Sequence, residues 1–222
     1  MAWQNLTVGA TVLTDSNQKS IAPETKSFRV GIIGVGYGRR VHKPASELTG
    51  RATVVAACGR DSSSAGSFQT SGFESVDSWQ AICDSDKIDV VVVASPASSH
   101  QNVLRYLSPT DKAVIIEKPA GLDLEAAENI ERLLRRQNTI HAIGFQFRFE
   151  PAILALRDVI SSGDLGRIER IDVRWLVGGS NARNRAWRWQ DSREHGGGIL
   201  LNFATHVIDY VSMLCGPPKQ RH

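Results

Sequence analysis

A short glycine cluster gives this chain its first chemical signal. Gly34-Val35-Gly36-Tyr37-Gly38-Arg39 follows an apolar run over residues 28–33 and precedes a segment of helical spacing. In a strand–turn–helix, a first glycine makes the tight turn and a second lets backbone amides approach a pyrophosphate at the helix N-terminus. Gly34 and Gly36 stand at those places, with Tyr37 and Gly38 completing the turn. The third fingerprint position holds Arg39, its glycine arriving one residue early. A plain glycine-rich turn is the competing reading, and the location after the first apolar strand of a repeating series favours the dinucleotide. The end of the second strand, Cys58-Gly59-Arg60-Asp61, bears on which dinucleotide. The ribose of NAD usually meets an acidic side chain there, whereas a guanidinium suits the 2′-phosphate of NADP through forked, charge-assisted hydrogen bonds. Arg60 comes first, which leans the reading to NADP. Asp61 keeps NAD open, and it is also placed to cap the serine-rich segment that follows.

Such a turn works only if strands and helices position it. Residues 52–57, 88–94 (IDVVVVA) and 113–116 (AVII) are apolar runs with little or no polar alternation. Runs of this kind suit strands buried on both faces, as in a parallel sheet covered by helices. Helical spacing fills the gaps at 39–48, 79–83, 103–107 and 124–134, where Asp123 is placed as a cap and Ala126, Ala127, Ile130 and Leu134 form an apolar face. Strands alternating with helices imply right-handed βαβ units and an open, doubly wound α/β sheet, completed by a strand near 140–145. Residues 1–26 show no clear period and read as a flexible lead.

After Phe149 the pattern changes. Residues 151–160 read as an amphipathic helix stopped by Ser161-Ser162-Gly163. Residues 168–177 alternate (Ile168, Ile171, Val173, Trp175, Val177) and predict a half-buried strand of antiparallel type. A polar loop rich in Arg and Trp leads to Gly196-Gly197-Gly198 and a long helix over 199–214, ended by Gly216-Pro217-Pro218. One strand and one helix cannot satisfy their own edges or bury their own apolar faces. The second domain is therefore expected to be incomplete, the chain being a fragment or another molecule supplying the missing strands.

Composition narrows the remaining classes. The 222 residues are 41% hydrophobic and 22% charged, which is ordinary for a globular protein. A net charge of +3 is too small to imply nucleic-acid binding, and no apolar run approaches a membrane span. The N-terminal segment lacks the pattern of a signal peptide. Cys58, Cys83 and Cys215 form no metal or redox spacing, so the expected setting is a reducing, cytoplasmic one without a structural metal.

Several motifs fall in order on successive strand ends: Gly31-Ile-Ile-Gly34-Val-Gly36, Ala94-Ser95-Pro96 with His100, and Glu117-Lys118-Pro119. They continue with Gly144-Phe145-Gln146-Phe147-Arg148-Phe149 and Gly196-Gly197-Gly198-Ile-Leu-Leu-Asn202-Phe-Ala-Thr-His206-Val-Ile-Asp209. Together, from Phe28 to Gly216, they resemble the Gfo/Idh/MocA oxidoreductases, the group of glucose–fructose oxidoreductase and inositol dehydrogenase. The resemblance implies a Rossmann-type NAD(P)-binding domain at 27–145. Residues 146–222 would begin an α/β domain with an open antiparallel sheet, here C-terminally truncated, which carries substrate and, in a full-length form, a homo-oligomer interface. It implies a dehydrogenase or reductase acting on a secondary hydroxyl or carbonyl of a sugar, polyol or similar metabolite. A non-catalytic NAD(P)-binding regulator, or an inactive truncated member, is the alternative.

Carried over by position, Lys118 resembles the family's catalytic lysine and His206 its proton-transferring histidine. Helical spacing lets Asn202 and Asp209 share the face of His206. Many members have aspartate where this chain has Asn202. An amide oxygen can still accept a hydrogen bond from the imidazole but offers no charge to an imidazolium, a role Asp209 is expected to fill in part. The resemblance places Ser95, Pro96, His100 and Lys118 at the cofactor, gives Glu117 contact with the cofactor ribose or orientation of Lys118, and places Arg148 at the substrate. In the loop before the triple glycine, Trp187 and Arg188 are expected near substrate, the indole as an apolar wall and the guanidinium for an anionic group; anchoring of the loop is the other reading. Pro119 is a candidate for a cis peptide.

Overall fold

A computed structural model describes residues 27–59, 73–136, 139–176, 192 and 196–217. Six strands form one parallel sheet: β1 (Phe28–Ile33), β2 (Ala52–Cys58), β3 (Glu74–Ser75), β4 (Val90–Val93), β5 (Ala113–Ile116) and β6 (His141–Ile143), in the order β3-β2-β1-β4-β5-β6. The strand order reverses between β1 and β4, and the crevice beyond the carboxyl ends at such a switch point is where open α/β sheets bind ligands.

The expected unbroken apolar runs have a simple cause. Successive strand residues point to opposite faces, and both faces are covered. Val91 and Val93 pack with Ile82, Leu104, Leu107 and Ile130, whereas Val92 packs with Val30, Ile32, Val54 and Ala57. Arg29 locks β1 to the start of β4: its amide and Nε donate to Asp89 Oδ2 at 2.8 and 3.1 Å, and its Nη2 donates to Oδ1 at 2.9 Å.

The helices follow the apolar spacing. A first helical run, α1, covers residues 35–48 and combines an opening turn Val35–Tyr37, a π-helical turn Gly38–His42 and an α-helical part Lys43–Leu48. Then come α2 (Trp79–Asp84), α3 (Ala97–Leu107) and α4 (Leu124–Arg136). Asp123 Oδ1 accepts from the Ala126 amide at 2.8 Å and so caps α4. A 3₁₀ turn, Gln146–Phe149, leads into α5 (Pro151–Ser162), which ends at Gly163 with φ +81°. The last run, α6, covers residues 200–215, a π-helical turn Leu200–Ala204 continued by α-helix Thr205–Cys215.

The strand expected at 168–177 is not formed over its described part, residues 168–176. A strand needs a neighbour for its amides and carbonyls, and among the described residues every ladder belongs to the six-stranded sheet. Ile171, Val173 and Leu176 are exposed, while Trp175 turns its ring toward Phe147, Phe203 and His206. The expected lead at 1–26 lies outside the described residues.

Candidate active site

The glycine turn at the end of β1 is built as a nucleotide cradle. Gly34 has φ +105°, and a Cβ there would stand 2.4 Å from the Ala94 carbonyl, so only glycine fits. Its amide donates to Cys58 O at 2.9 Å, tying the turn to the end of β2. At Gly36 a Cβ would meet no heavy atom within 4 Å, which leaves open space where a pyrophosphate needs close backbone approach. The residues present therefore fit a dinucleotide. Gly38 does something else: it is buried, and a Cβ there would stand 2.5 Å from Ile32 Cγ2. It supplies the close helix–strand packing assigned to the third fingerprint glycine, one residue early.

Beyond the next strand, β4, Ser95 Oγ lies 2.6 Å from Ser99 Oγ, and Pro96 occupies the N-cap position of α3. Against the expectation that His100 meets the nucleotide, it is 1% exposed. Its Nε2 lies 2.9 Å from Ser95 O and its Nδ1 3.1 Å from Ala120 O. Whichever ring nitrogen carries the proton donates to one of these carbonyls, and burial holds the pKa below the ordinary value.

Glu117 and Lys118 follow β5, with the Lys118–Pro119 bond cis. Lys118 Nζ donates to the backbone carbonyl of Asn202 at 2.9 Å. Burial lowers the pKa of this ammonium, and the Glu117 charge partly opposes the shift. Glu117 Oε1 lies 2.7 Å from His42 Nε2 on α1. The carboxylate is also walled by Gly144, where a Cβ would stand 2.9 Å from Oε1. Tyr37 lies edge-on to the His42 ring at 5.5 Å, and its hydroxyl accepts from Gln146 Nε2 at 3.1 Å. Its phenol pKa is raised by burial and by Glu117.

His206 sits on α6 one turn beyond Asn202, 3% exposed, edge-on to Phe147 at 4.6 Å and to Phe145 at 5.9 Å. Burial and then the Lys118 charge push its pKa down. Its buried Nδ1 has no hydrogen-bond partner, so the expected acceptance from the imidazole by the Asn202 amide is not made there; Asn202 meets Lys118 through its backbone. Asp209 is likewise engaged elsewhere. Its oxygens accept from Arg148 Nε and Nη2 at 2.6 Å each, a forked pair that occupies the guanidinium expected at the substrate.

Gly34, Gly36, Ser95, Lys118, Asn202 and His206 thus lie on elements converging at the carboxyl edge of the sheet. Arg60, Trp187 and Arg188 lie outside the described residues. His42 and the space-keeping role of Gly144 were not foreseen. In the sequence His42 lies inside an ordinary run of helical spacing, and only the contact with Glu117 gives it a role.

A parallel, doubly wound sheet with this glycine turn defines a dinucleotide-binding protein of the Rossmann class. The model of the oxidoreductase family with an NAD-binding Rossmann fold matches residues 28–145, and that of the GFO/IDH/MocA C-terminal domain matches residues 153–222. The chain belongs to the Gfo/Idh/MocA family. It is 32% identical over 198 residues to an uncharacterised oxidoreductase of Synechocystis sp., covering 88% of this chain and 53% of that one. It is 29% identical over 205 residues to levoglucosan dehydrogenase of Pseudarthrobacter phenanthrenivorans, covering 86% and 52%. A solved levoglucosan dehydrogenase in complex with NADH and levoglucosan superposes with a TM-score of 0.77 at 25% identity, covering 86% of this chain and 55% of that one. The chain spans about half the length of the curated relatives it matches. No helix among the described residues is long and apolar enough to cross a membrane.

Proposed function

We propose that this chain acts as an NAD(P)-dependent oxidoreductase on a secondary hydroxyl or carbonyl of a sugar, polyol or similar small metabolite. Residues 27–145 hold the cofactor and residues from 146 onward contribute to the substrate side. The observation that carries this reading is the meeting of Lys118 with the α6 turn of Asn202 and His206, beside a glycine turn open to a dinucleotide.

The nicotinamide, when bound, supplies the hydride acceptor or donor. The chain's own groups handle position and protons. Amides beside Gly34 and Gly36 would hold the pyrophosphate, and Ser95, Pro96, Tyr37 and Glu117 would meet the ribose and nicotinamide side of the cofactor. Lys118 donates a hydrogen bond to the reacting oxygen, exchanging its Asn202 carbonyl partner for substrate. His206, kept neutral by burial, accepts the hydroxyl proton during oxidation and returns it during reduction. Arg148 and Asp209 hold each other and stiffen the wall on which His206 stands. Trp187 and Arg188 remain candidates for substrate contact, and Arg60 is the proposed 2′-phosphate partner, with NADP favoured.

Turnover of a sugar and polyol panel with NAD and NADP, read by nicotinamide absorbance, tests the activity. Lys118→Ala and His206→Ala should each lower kcat by about 10²-fold or more. Unchanged rates would remove both roles. Arg60→Ala should weaken NADPH binding selectively, and equal losses for NADH would remove Arg60 from the 2′-phosphate.

A further inference from the structure

We propose that His42 is a positioning residue of this site: from the π-helical turn of α1 it hydrogen-bonds Glu117 and fixes the carboxylate that adjoins Lys118 at the end of β5. The proposal rests on the oxidoreductase reading only for its kinetic consequence; the positioning itself is a property of the chain.

The local backbone explains why a residue of the nucleotide-binding helix reaches this far. A π turn closes i→i+5 hydrogen bonds, as the Lys43 amide does to Gly38 O. It therefore swings residues five apart toward one face, and Tyr37 and His42 become edge-on neighbours at 5.5 Å. In an unbroken α-helix that spacing would point them apart.

Glu117 is held between α1 and the residue that follows β6. His42 Nε2 stands 2.7 Å from Oε1, and their side chains are 16% and 12% exposed. Gly144 keeps its Cα against the carboxylate because a Cβ would stand 3.2 Å from Glu117 Cδ and nearer still to Oε1. The Glu117 charge acts on groups of several elements: Tyr37 on α1, His100 on α3, Lys118 beside it and His206 on α6. Asp209 and Lys118 also act on His206. A carboxylate free to rotate into solvent would lose this influence, since charge interactions weaken with distance and screening. His42 Nε2–H, as donor to Glu117 Oε1, holds it in place while its ring stands edge-on to Tyr37.

The test uses Lys118 as a reporter in the chain without cofactor, by NMR titration of ¹³C-methylated lysines with Lys118→Arg for assignment. In His42→Ala the Lys118 titration should move to lower pH, because Glu117 no longer supports the ammonium. Glu117→Gln should produce the same downward movement, and adding His42→Ala to it should change nothing more. His42→Gln, whose amide nitrogen reaches the place of Nε2, should restore the wild-type titration, and it keeps the test decisive if His42→Ala does not fold. In turnover, His42→Ala should lower kcat about ten-fold with KM little changed. An unmoved or upward-moving Lys118 titration in folded His42→Ala, additivity in the double variant, or a downward titration shift in His42→Gln would each overturn the proposal. A shifted titration without turnover by wild type would leave the positioning intact and sink the oxidoreductase reading instead.

Discussion

Lys118 Nζ and the backbone carbonyl of Asn202, 84 positions apart in sequence, meet at 2.9 Å. The contact joins the end of β5 to the π turn of α6 and puts an ammonium beside the helix that carries His206. The other side chain of the same strand end, Glu117, is held by a second π turn, that of α1. Two adjacent residues are thus anchored by two local departures from α-helical geometry, and π turns of this kind recur at functional sites.

The two fingerprint glycines should fail differently. Gly34→Ala places a Cβ against the Ala94 carbonyl at positive φ and should destabilise the fold by about 3 kcal/mol or more. Gly36→Ala meets no neighbour within 4 Å, so its denaturation midpoint should match wild type while NAD(P)H affinity falls. Fluorescence titration beside denaturant melts separates the outcomes, and equal stability of both variants would refute the geometry of the turn.

Acidification should destabilise the chain through its buried histidines. Burial holds both His100 and His206 below the ordinary 6.5. Below 6.5 the unfolded chain takes up these protons before the folded one does, so it binds more protons in that window. Stability is full above the unfolded value and declines as pH falls through 6.5 toward the lower folded-state values. Denaturant midpoints across this range should drop, and His100→Gln should flatten the slope even though it lowers the midpoint overall.

The same shifts bracket the rate. Oxidation needs His206 neutral and Lys118 protonated, so its pH profile should be bell-shaped, with an acid limb below 6.5 and a basic limb below 10.5. His206→Ala should erase the acid limb. A limb that persists would assign it to another group.

Removing one partner of Arg148–Asp209 leaves a nearly buried carboxylate or a displaced guanidinium. Arg148→Ala should cost about 1–3 kcal/mol of stability, and Asp209→Asn less, because the amide keeps one hydrogen bond. A double-mutant cycle measures their coupling. If Arg148→Ala leaves stability intact and only raises KM, the arginine belongs to substrate after all.

Thiol labelling gives an independent check of burial. Burial pushes the Cys83 thiol up to about 12, and Cys58 is raised as well. Cys215 is exposed. Mild alkylation followed by mass spectrometry should modify Cys215 in the folded chain and leave the other two until denaturant is added.

Much of this architecture was legible before any coordinates. The β-branched runs, the Asp123 cap and the Gly163 stop are local signals whose physics acts over a few residues. The order of strand-end motifs was enough to place Gly34, Lys118 and His206 in one family pattern. The expected strand near Trp175 failed because alternation states only that one face is apolar, whereas a ladder needs a second strand.

Sequence alone determined the parallel sheet, the glycine turn and the residue types available for proton and hydride chemistry, since each follows from side-chain periodicity or backbone freedom. Tertiary structure alone decided the pairings: Glu117 with His42, Lys118 with the Asn202 carbonyl, Asp209 with Arg148, and His100 between two loop carbonyls, one of which accepts its N–H. Hydrogen bonds depend on ångström distances between elements far apart in the chain, and helical spacing fixes only which residues share a face. That is why Asp209, expected on the face of His206, has its carboxylate taken by Arg148.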